Sequence, residues 1–351
     1  MTFRFAYDQW NETQWRDLTA GLHGLTIHQH WQYALVHSSG RLRRVSRVML
    51  LRDNQAVVAA HFRIKMLPVL HAGVAEMDHG PLLASDAADV DDALVLFLRG
   101  VRERFCERSK LEVRLWLRSS LDALRDARLA RILVDCGFAR DSAAHPYSTF
   151  ILDLSLSLSE LRAGLHGKWR NQLNVAERAG LTIDAGCSVE LFDRFSAIYE
   201  DMWRTKRFPT GVRVSLIRAL QCRLPEADRF RIALARSGNQ DIAATVCATV
   251  GDAMQYFLGA SRPDSRQTGR PGYLLQWDNI EWAKVQGYRW YDTGGFDADA
   301  APDVARFKRR MGGTPIVSPG CFVAVPPRGT VRLYRAAERV YRETRHLATG
   351  R

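Results

Sequence analysis

Hydrophobic and polar positions follow the same order in both halves of the chain: an alternating stretch, a polar loop, a stretch of helical period, and a second alternating stretch. Alternation with period two is typical of strands, whereas apolar residues three and four positions apart are typical of helices. In the first half these patterns predict helices at 89–109 and 121–136 and strands at 45–51, 56–63, 111–117 and 148–154.

The second half begins at Ser157 and Glu160, whose spacing of three is a capping-box pattern that predicts a helix over 158–179. The patterns that follow predict helices at 189–206 and 273–286 and strands at 229–235, 242–250, 254–260 and 288–292. Because strand, loop, helix and strand recur in both halves, we predict a mixed α/β (α+β) fold with two similar domains, residues 1–154 and 155–351.

Arginines recur along one face of the C-terminal stretch 328–346, which is predicted to be a helix that packs back on the first domain. They are opposed there only by Glu338 and Glu343. The arginines at spacings of four and three are Arg328, Arg332, Arg335, Arg339 and Arg342. A solvated surface explains such a row, but the excess of positive charge also predicts contact with nucleic-acid phosphates.

Composition narrows the class of protein. A length of 351 residues suggests two domains, and 46% hydrophobic with 25% charged residues is typical of an ordered globular protein rather than a disordered one. The formal net charge of +12 adds nucleic acid to the possible partners, although a GC-rich genome, which encodes many arginines, gives the same excess of positive charge.

The six cysteines form no C-x-x-C pair, so no metal site is predicted. No apolar run approaches the roughly 18 residues of a membrane helix, and we expect a cytoplasmic protein without stable membrane insertion.

Two short segments near the end of the second half carry candidate chemistry. Gly294 and Gly295 follow the predicted strand that ends at Asp292, so the backbone bends there or lets a ligand approach closely; a plain turn is the alternative. Lys308 follows the aromatic residue Phe307 in a segment rich in arginine. This segment is interpreted either as a basic surface helix or as the source of a cation for catalysis.

Three segments resemble the FemABX family, whose members add amino acids to peptidoglycan precursors from aminoacyl-tRNA or build amide bonds in other small molecules. Their order and spacing agree with the family over residues 137–320, and residues 1–136 match loosely. The first segment comprises Gly137-Phe138, 149–154, Lys168-Trp169-Arg170 and 176–180. The second comprises 256–261 and 274–277. The third comprises 287–296, Phe307-Lys308 and Gly312-Gly313.

The resemblance implies two tandem GNAT-like (acyl-CoA N-acyltransferase-like) domains and the transfer of an aminoacyl group from aminoacyl-tRNA to an amine. No cofactor is implied besides this co-substrate. The acceptor would be a peptidoglycan-precursor peptide or a natural-product intermediate. The resemblance further implies that Lys308 stabilises the oxyanion and that Phe307 supports the acyl or adenosine end of the donor. Arg332, Arg335 and Arg339 are then expected to contact the tRNA.

The remaining site residues follow from what the reaction requires. An attacking amine must lose a proton, and Asp292 at the end of a strand is the candidate acceptor, with hydrogen bonding to the turn as its alternative role. For an anionic acceptor substrate we expect binding by cations and aromatic residues, although a strand tyrosine is often part of the core. The candidates are Arg170, Arg207, Trp203 and Tyr256, together with Gly294 and Gly295.

Two features depart from related enzymes. The stretch 31–37 ends in His37 and lacks the lysine with which family members meet the phosphates of a nucleotide-linked acceptor, so a UDP-linked acceptor is not expected. The loop 266–272 has the wrong spacing for a GNAT pyrophosphate loop, and Pro271 removes a backbone donor. An acyl-CoA-dependent N-acyltransferase is therefore the second hypothesis, and a non-catalytic RNA-binding protein is the third.

Overall fold

The computed structural model describes residues 2–67, 72–85, 90–118, 120–206, 212–326 and 335–336. The chain forms two compact units. The first contains Met1–Pro146 together with Val317–Arg351, and the second is Tyr147–Ile316. Each unit has its own sheet and is described separately below.

The elements are numbered in chain order. The strands are β1 (Phe3–Tyr7), β2 (Arg43–Arg52), β3 (Gln55–Leu67), β4 (Ala72–Gly80), β5 (Leu82–Leu83), β6 (Glu112–Leu117), β7 (Ala139–Arg140), β8 (Ser148–Asp153), β9 (Thr182–Gly186), β10 (Arg231–Ser237), β11 (Gln240–Ala248), β12 (Ala253–Ser261), β13 (Trp290–Asp292), β14 (Thr314–Val317) and β15 (Cys321–Ala324). The helices are α1 (Glu12–Thr19), α2 (Trp31–His37), α3 (Asp91–Val101), α4 (Ala123–Asp135), α5 (Leu158–Gly164), α6 (Gly167–Glu177), α7 (Val189–Lys206), α8 (Val214–Arg223), α9 (Pro271–Val285) and α10 (Pro302–Arg309).

The first unit is built on a sheet with the strand order β1-β2-β3-β4-β6-β15-β7, and β5 pairs with β3. Strands β4 and β6 are parallel, whereas the other recorded pairs are antiparallel. Helix α3, extended by a π-helical turn, places Phe97 and Phe105 against buried residues of β3 and β6, such as Phe62 and Leu115. The apolar face predicted from the helical period over 89–109 therefore forms the helical side of the core of this unit.

The second unit has the strand order β14-β8-β13-β12-β11-β10-β9. Its core is formed by buried residues of α6, α9 and the central strands, among them Trp169, Ile280 and Tyr291. Strands β12 and β13 are parallel and pair over only three residues, from Ala253 with Trp290 to Gln255 with Asp292. Since β12 continues to Ser261 whereas β13 ends at Asp292, the two strands stop pairing at this point in the middle of the sheet.

The mixed α/β fold predicted from the sequence is confirmed, and several element bounds differ. The helix expected over 158–179 is two helices, α5 and α6, because Leu165 has an extended backbone conformation and the His166 side chain caps the second helix. Strand β8 pairs with β13 and therefore lies in the second unit, not at the end of a domain 1–154. Strand β15 pairs with β6 and returns the chain to the first unit.

Most of the predicted C-terminal helix 328–346 lies outside the described residues. Of its arginines the structure describes Arg335, whose Nε donates to Oε2 of the buried residue Glu112 at 2.8 Å within the first unit. Among the helices of the described residues, none combines the length and the hydropathy that a membrane crossing requires.

Candidate active site

Lys308 lies on α10 with only 5% of its surface exposed. Its Nζ donates to the carbonyl oxygens of Gly294 and Gly295, each at 2.8 Å, and lies 5.1 Å from the centre of the Tyr256 ring. An ammonium group has three N–H donors. Among the described residues only the two glycine carbonyls accept from it, so one donor remains for a ligand.

Two opposing effects set the pKa of Lys308. Burial lowers its pKa from 10.5 to about 8, although the nearby carboxylate of Asp292 acts in the opposite direction. At pH 7 roughly nine-tenths of the molecules therefore carry the ammonium form, which can donate to an oxyanion. A pKa of this kind in a buried lysine is typical of functional sites, although structural ion pairs also produce shifts.

The two glycines are required by close contacts. Gly294 has a φ of 78°, and a Cβ there would lie 2.2 Å from the Tyr256 carbonyl oxygen and 3.2 Å from Nζ of Lys308. A Cβ on Gly295 would lie 2.5 Å from the ring of Tyr147. The turn is therefore packed closely between Tyr256 and Tyr147, and it directs both carbonyl oxygens at Lys308.

Asp292 is held by several donors where β13 ends. Its Oδ1 accepts a hydrogen bond from the Thr149 hydroxyl and one from the Gly294 backbone N–H at 2.8 Å. The Tyr147 hydroxyl lies 3.4 Å from Oδ2 and accepts from Nε2 of Gln255 at 2.9 Å. Burial and the Asp292 charge raise the pKa of Tyr147 well above its usual value, so the phenol stays protonated. These hydrogen bonds agree with the turn-bonding role named as the alternative for Asp292, and the role of proton acceptor stays a prediction.

Phe307, which precedes Lys308, contacts two aromatic residues of other helices. The centre of its ring lies 5.9 Å from that of Trp169 on α6 and 5.1 Å from that of Tyr273 on α9. Trp169 and Tyr273 are 5.0 Å apart in an edge-to-face arrangement. These three residues form an aromatic cluster that adjoins the buried ammonium and leaves Phe307 half-buried.

The structure brings together some of the expected acceptor-binding residues and separates others. Tyr256 lies beside Lys308. Nη1 of Arg170 donates to the carbonyl oxygens of Ala163 and Arg162 at 3.1 and 3.4 Å at the end of α5. Trp203 lies near the end of α7. The acceptor candidate Arg207 lies outside the described residues, as do Arg332 and Arg339, which were expected to contact tRNA.

Three site residues were not found from the sequence: Tyr147, Thr149 and Gln255. They come from β12 and from residues at the start of β8, which become neighbours of Asp292 only through the pairing of β13 with both strands. No local motif marks Tyr147 or Gln255, and Thr149 lies in the segment 149–154 that resembles the FemABX family without being singled out there. Within the described ranges, no group of three His, Cys, Asp or Glu side chains is arranged to hold a metal ion.

Part of the chain matches a known protein family in sequence, and nearly the whole chain is similar to solved structures. The family model for an acetyltransferase (GNAT) domain matches residues 166–309, which include α6, α9, Asp292 and Lys308. No curated protein sequence matches the chain. The structure is similar to that of FemX, with a TM-score of 0.78 and 14% identity over 94% of this chain and 99% of FemX.

Two further solved structures share the fold. The C-terminal domain of a putative lysylphosphatidylglycerol synthetase from Agrobacterium fabrum has a TM-score of 0.56 and 13% identity over 93% of this chain and 97% of that one. A tandem GNAT protein from the clavulanic acid biosynthesis pathway has a TM-score of 0.54 and 14% identity over 92% of this chain and 98% of that one. The chain thus has a FemABX-like fold, and residues 166–309 match an acetyltransferase (GNAT) domain.

Proposed function

We propose that the protein transfers an aminoacyl group from aminoacyl-tRNA to the amine of a small-molecule or peptide acceptor. The observation that carries this proposal is the ammonium of Lys308, which is buried and positioned by two carbonyl oxygens and keeps one N–H donor for a substrate. The FemX-like fold and the resemblance of the motifs to FemABX enzymes favour aminoacyl-tRNA as the donor.

The chemistry follows from this arrangement. The amine nitrogen attacks the ester carbonyl carbon, and negative charge collects on the carbonyl oxygen, where the third N–H of Lys308 stabilises it. A positioned donor of this kind lowers the barrier by roughly 3–4 kcal/mol. When the tetrahedral intermediate collapses, the C–N bond is retained, the ester C–O bond breaks, and the leaving ribose oxygen takes up a proton as the amine loses one. The aromatic cluster of Phe307, Trp169 and Tyr273 offers an apolar wall for the acyl or adenine end of the donor.

An acyl-CoA donor is the second candidate, because the match over residues 166–309 is to an acetyltransferase domain. The start of α9, where a GNAT enzyme would bind the pyrophosphate, argues against it. Arg270 adopts a left-handed conformation there and Pro271 occupies the first helical position without an N–H. The same oxyanion stabilisation by Lys308 applies to a thioester, so the two candidates differ in the donor and not in the catalytic group.

The proposal is tested by product analysis. The protein is incubated with total charged tRNA or with acyl-CoAs and a set of candidate amines, and the product mass identifies both partners. We expect an amide product with charged tRNA, and we expect Lys308→Met to reduce kcat by roughly 10²- to 10³-fold. Lys206→Met, which removes an exposed lysine at the end of α7, is the matched control and should keep the wild-type rate.

Full activity of the Lys308→Met variant would refute the assigned role of the ammonium. Formation of product from acyl-CoA alone would replace the first candidate donor by the second. Thermal unfolding checks that the variant is folded, because the substitution removes the desolvation cost of a buried charge but also removes the donor to the Gly294 and Gly295 carbonyl oxygens.

A further inference from the structure

Three cations of the second unit, Lys168, Arg309 and Arg310, have no carboxylate within ion-pair distance among the described residues. Lys168 and Arg309 are exposed and Arg310 is half-buried. Many other arginines of this unit are paired with acidic side chains. Examples are Arg162 with Glu177, Arg194 with Asp241, Arg204 with Glu200, Arg218 with Asp193 and Arg262 with Asp201.

These three cations come from the same place in the fold. The backbone N–H of His166 donates to the carbonyl oxygen of Arg310 at 3.0 Å, which joins the start of α6 to the end of α10. Lys168 lies two residues after His166, and Arg309 directly precedes Arg310. We call Lys168, Arg309 and Arg310 the α6–α10 patch.

The patch borders the candidate active site. Lys168 is followed directly by Trp169, and Arg309 is separated from Phe307 only by Lys308. Helices α6 and α10, which carry the patch, thus also carry Trp169 and Phe307, whose rings are 5.9 Å apart, and the ammonium of Lys308.

Local helix electrostatics explain only part of the patch. Arg309 and Arg310 lie at the end of α10, where cations interact favourably with the helix dipole. Lys168 lies in the first turn of α6, which contains no acidic residue and where a cation is unfavourable. Because one backbone hydrogen bond joins the start of α6 to the end of α10, the three positive charges are attached to neighbouring backbone and together favour an anion at this junction.

We propose that the α6–α10 patch binds phosphate groups of the acyl donor and so holds its reactive end next to Lys308. The proposal rests on the function proposed above and adds where the donor is bound. Phosphates occur both in the backbone of tRNA and in CoA, and the site in the second unit is compatible with either. It differs from the arginine row of 328–346, which was the surface expected from the sequence to contact tRNA.

The test compares three variants of the full-length protein. Lys168→Gln, Arg309→Gln and Arg310→Gln together remove the charges of the patch. A control with Arg204→Gln, Arg218→Gln and Arg223→Gln removes the same charge from α7 and α8. A third variant, Lys168→Arg with Arg309→Lys and Arg310→Lys, keeps every charge. Thermal unfolding establishes that each is folded.

Binding of uncharged tRNA and of CoA is measured by fluorescence anisotropy between 50 and 200 mM salt, and the KM for each donor is measured in parallel. We expect the patch variant to bind the donor about 10- to 100-fold more weakly at low salt. For tRNA, its slope of log K against log salt should be shallower by about two to three. The control and the charge-conserving variant should resemble the wild type.

Weaker binding of tRNA alone assigns the patch to RNA phosphates, and weaker binding of CoA alone assigns it to CoA phosphates. Unchanged affinity and slope for both ligands, or an equal loss in the control, would overturn the inference. Since binding is measured without turnover, these results are independent of the proposed reaction. If the wild type transfers from neither donor, the proposed function is refuted, whereas the inference about the patch is still decided by the binding measurements.

Discussion

Substitution of Gly294 by alanine tests how closely the turn must fit around Lys308. The new Cβ would lie 2.2 Å from the backbone oxygen of Tyr256 and 3.2 Å from Nζ of Lys308. Since the first contact is with backbone, neither side can move without a shift of β12 or of the turn. The left-handed conformation of alanine costs about 1–2 kcal/mol and the overpacking about 1–3 kcal/mol. We therefore expect a loss of roughly 2–5 kcal/mol of unfolding free energy.

The effect on activity should exceed the effect on stability. If the Gly294 and Gly295 carbonyl oxygens move by about 1 Å, the ammonium that they hold moves with them, and such misplacement can reduce a rate by about 10²-fold. Urea unfolding measures the stability. Single-turnover kinetics, at a temperature where the variant is folded, measures the rate constant of transfer.

Gly238→Ala is the matched control for this prediction. Gly238 also lies in the left-handed region, with a φ of 57°, but a Cβ there would meet no atom within 4 Å. It should lose only about 1–2 kcal/mol of stability, from the backbone conformation, and no activity. If Gly294→Ala lost no more stability than Gly238→Ala and kept the wild-type kcat, the close packing of the turn would not matter for catalysis.

Two further substitutions test other parts of the structure. Tyr147→Phe removes a donor to Asp292 and an acceptor for Gln255, and we expect kcat to fall by about tenfold with KM little changed; a change confined to KM would contradict a role in positioning the turn. Arg335→Gln leaves the buried Glu112 with Arg114 as its remaining ion-pair partner among the described residues, and should lower the unfolding free energy by about 1 kcal/mol. Unfolding in urea would measure this loss, and an unchanged midpoint would contradict it.

The helices with a strong local pattern were predicted well from the sequence, and the pairing of distant strands was not. The predicted helix over 189–206 is α7, because one continuous row of apolar residues covers its length. The break at Leu165 was missed because the apolar spacing continues across it, and the cap from His166 carries no clear signal. The return of β15 to the first sheet depends on contacts with β6 that are about 200 residues away in sequence, and local periodicity contains no such information.

The same division applies to the site. Lys308, Gly294 and Gly295 were found because they lie on short motifs with a recognisable spacing, and the structure places them in direct contact. Tyr147 and Gln255 could not be found, because only the strand order β8-β13-β12 makes them neighbours of Asp292. Arg170 was selected as a substrate ligand from its neighbours in sequence and stays a prediction, since the structure shows only that its Nη1 donates to carbonyl groups at the end of α5.

The pH dependence of transfer tests the account most directly, since the ammonium of Lys308 is its central element. Burial lowers the pKa of this group to about 8, so the ammonium form predominates below that pH. Well above it, the fraction of Lys308 in the ammonium form falls tenfold per pH unit. The acceptor amine titrates as well, and its contribution cancels in the ratio of the kcat/KM of the wild type to that of Lys308→Arg, whose charge persists throughout. The constant kcat/KM is used because its pH dependence reports the pKa values of the free enzyme. We predict that this ratio is constant below pH 7 and decreases as the pH rises through about 8. A ratio that stays constant up to pH 10, or that increases through pH 8, would contradict the claim that the charged lysine stabilises the oxyanion.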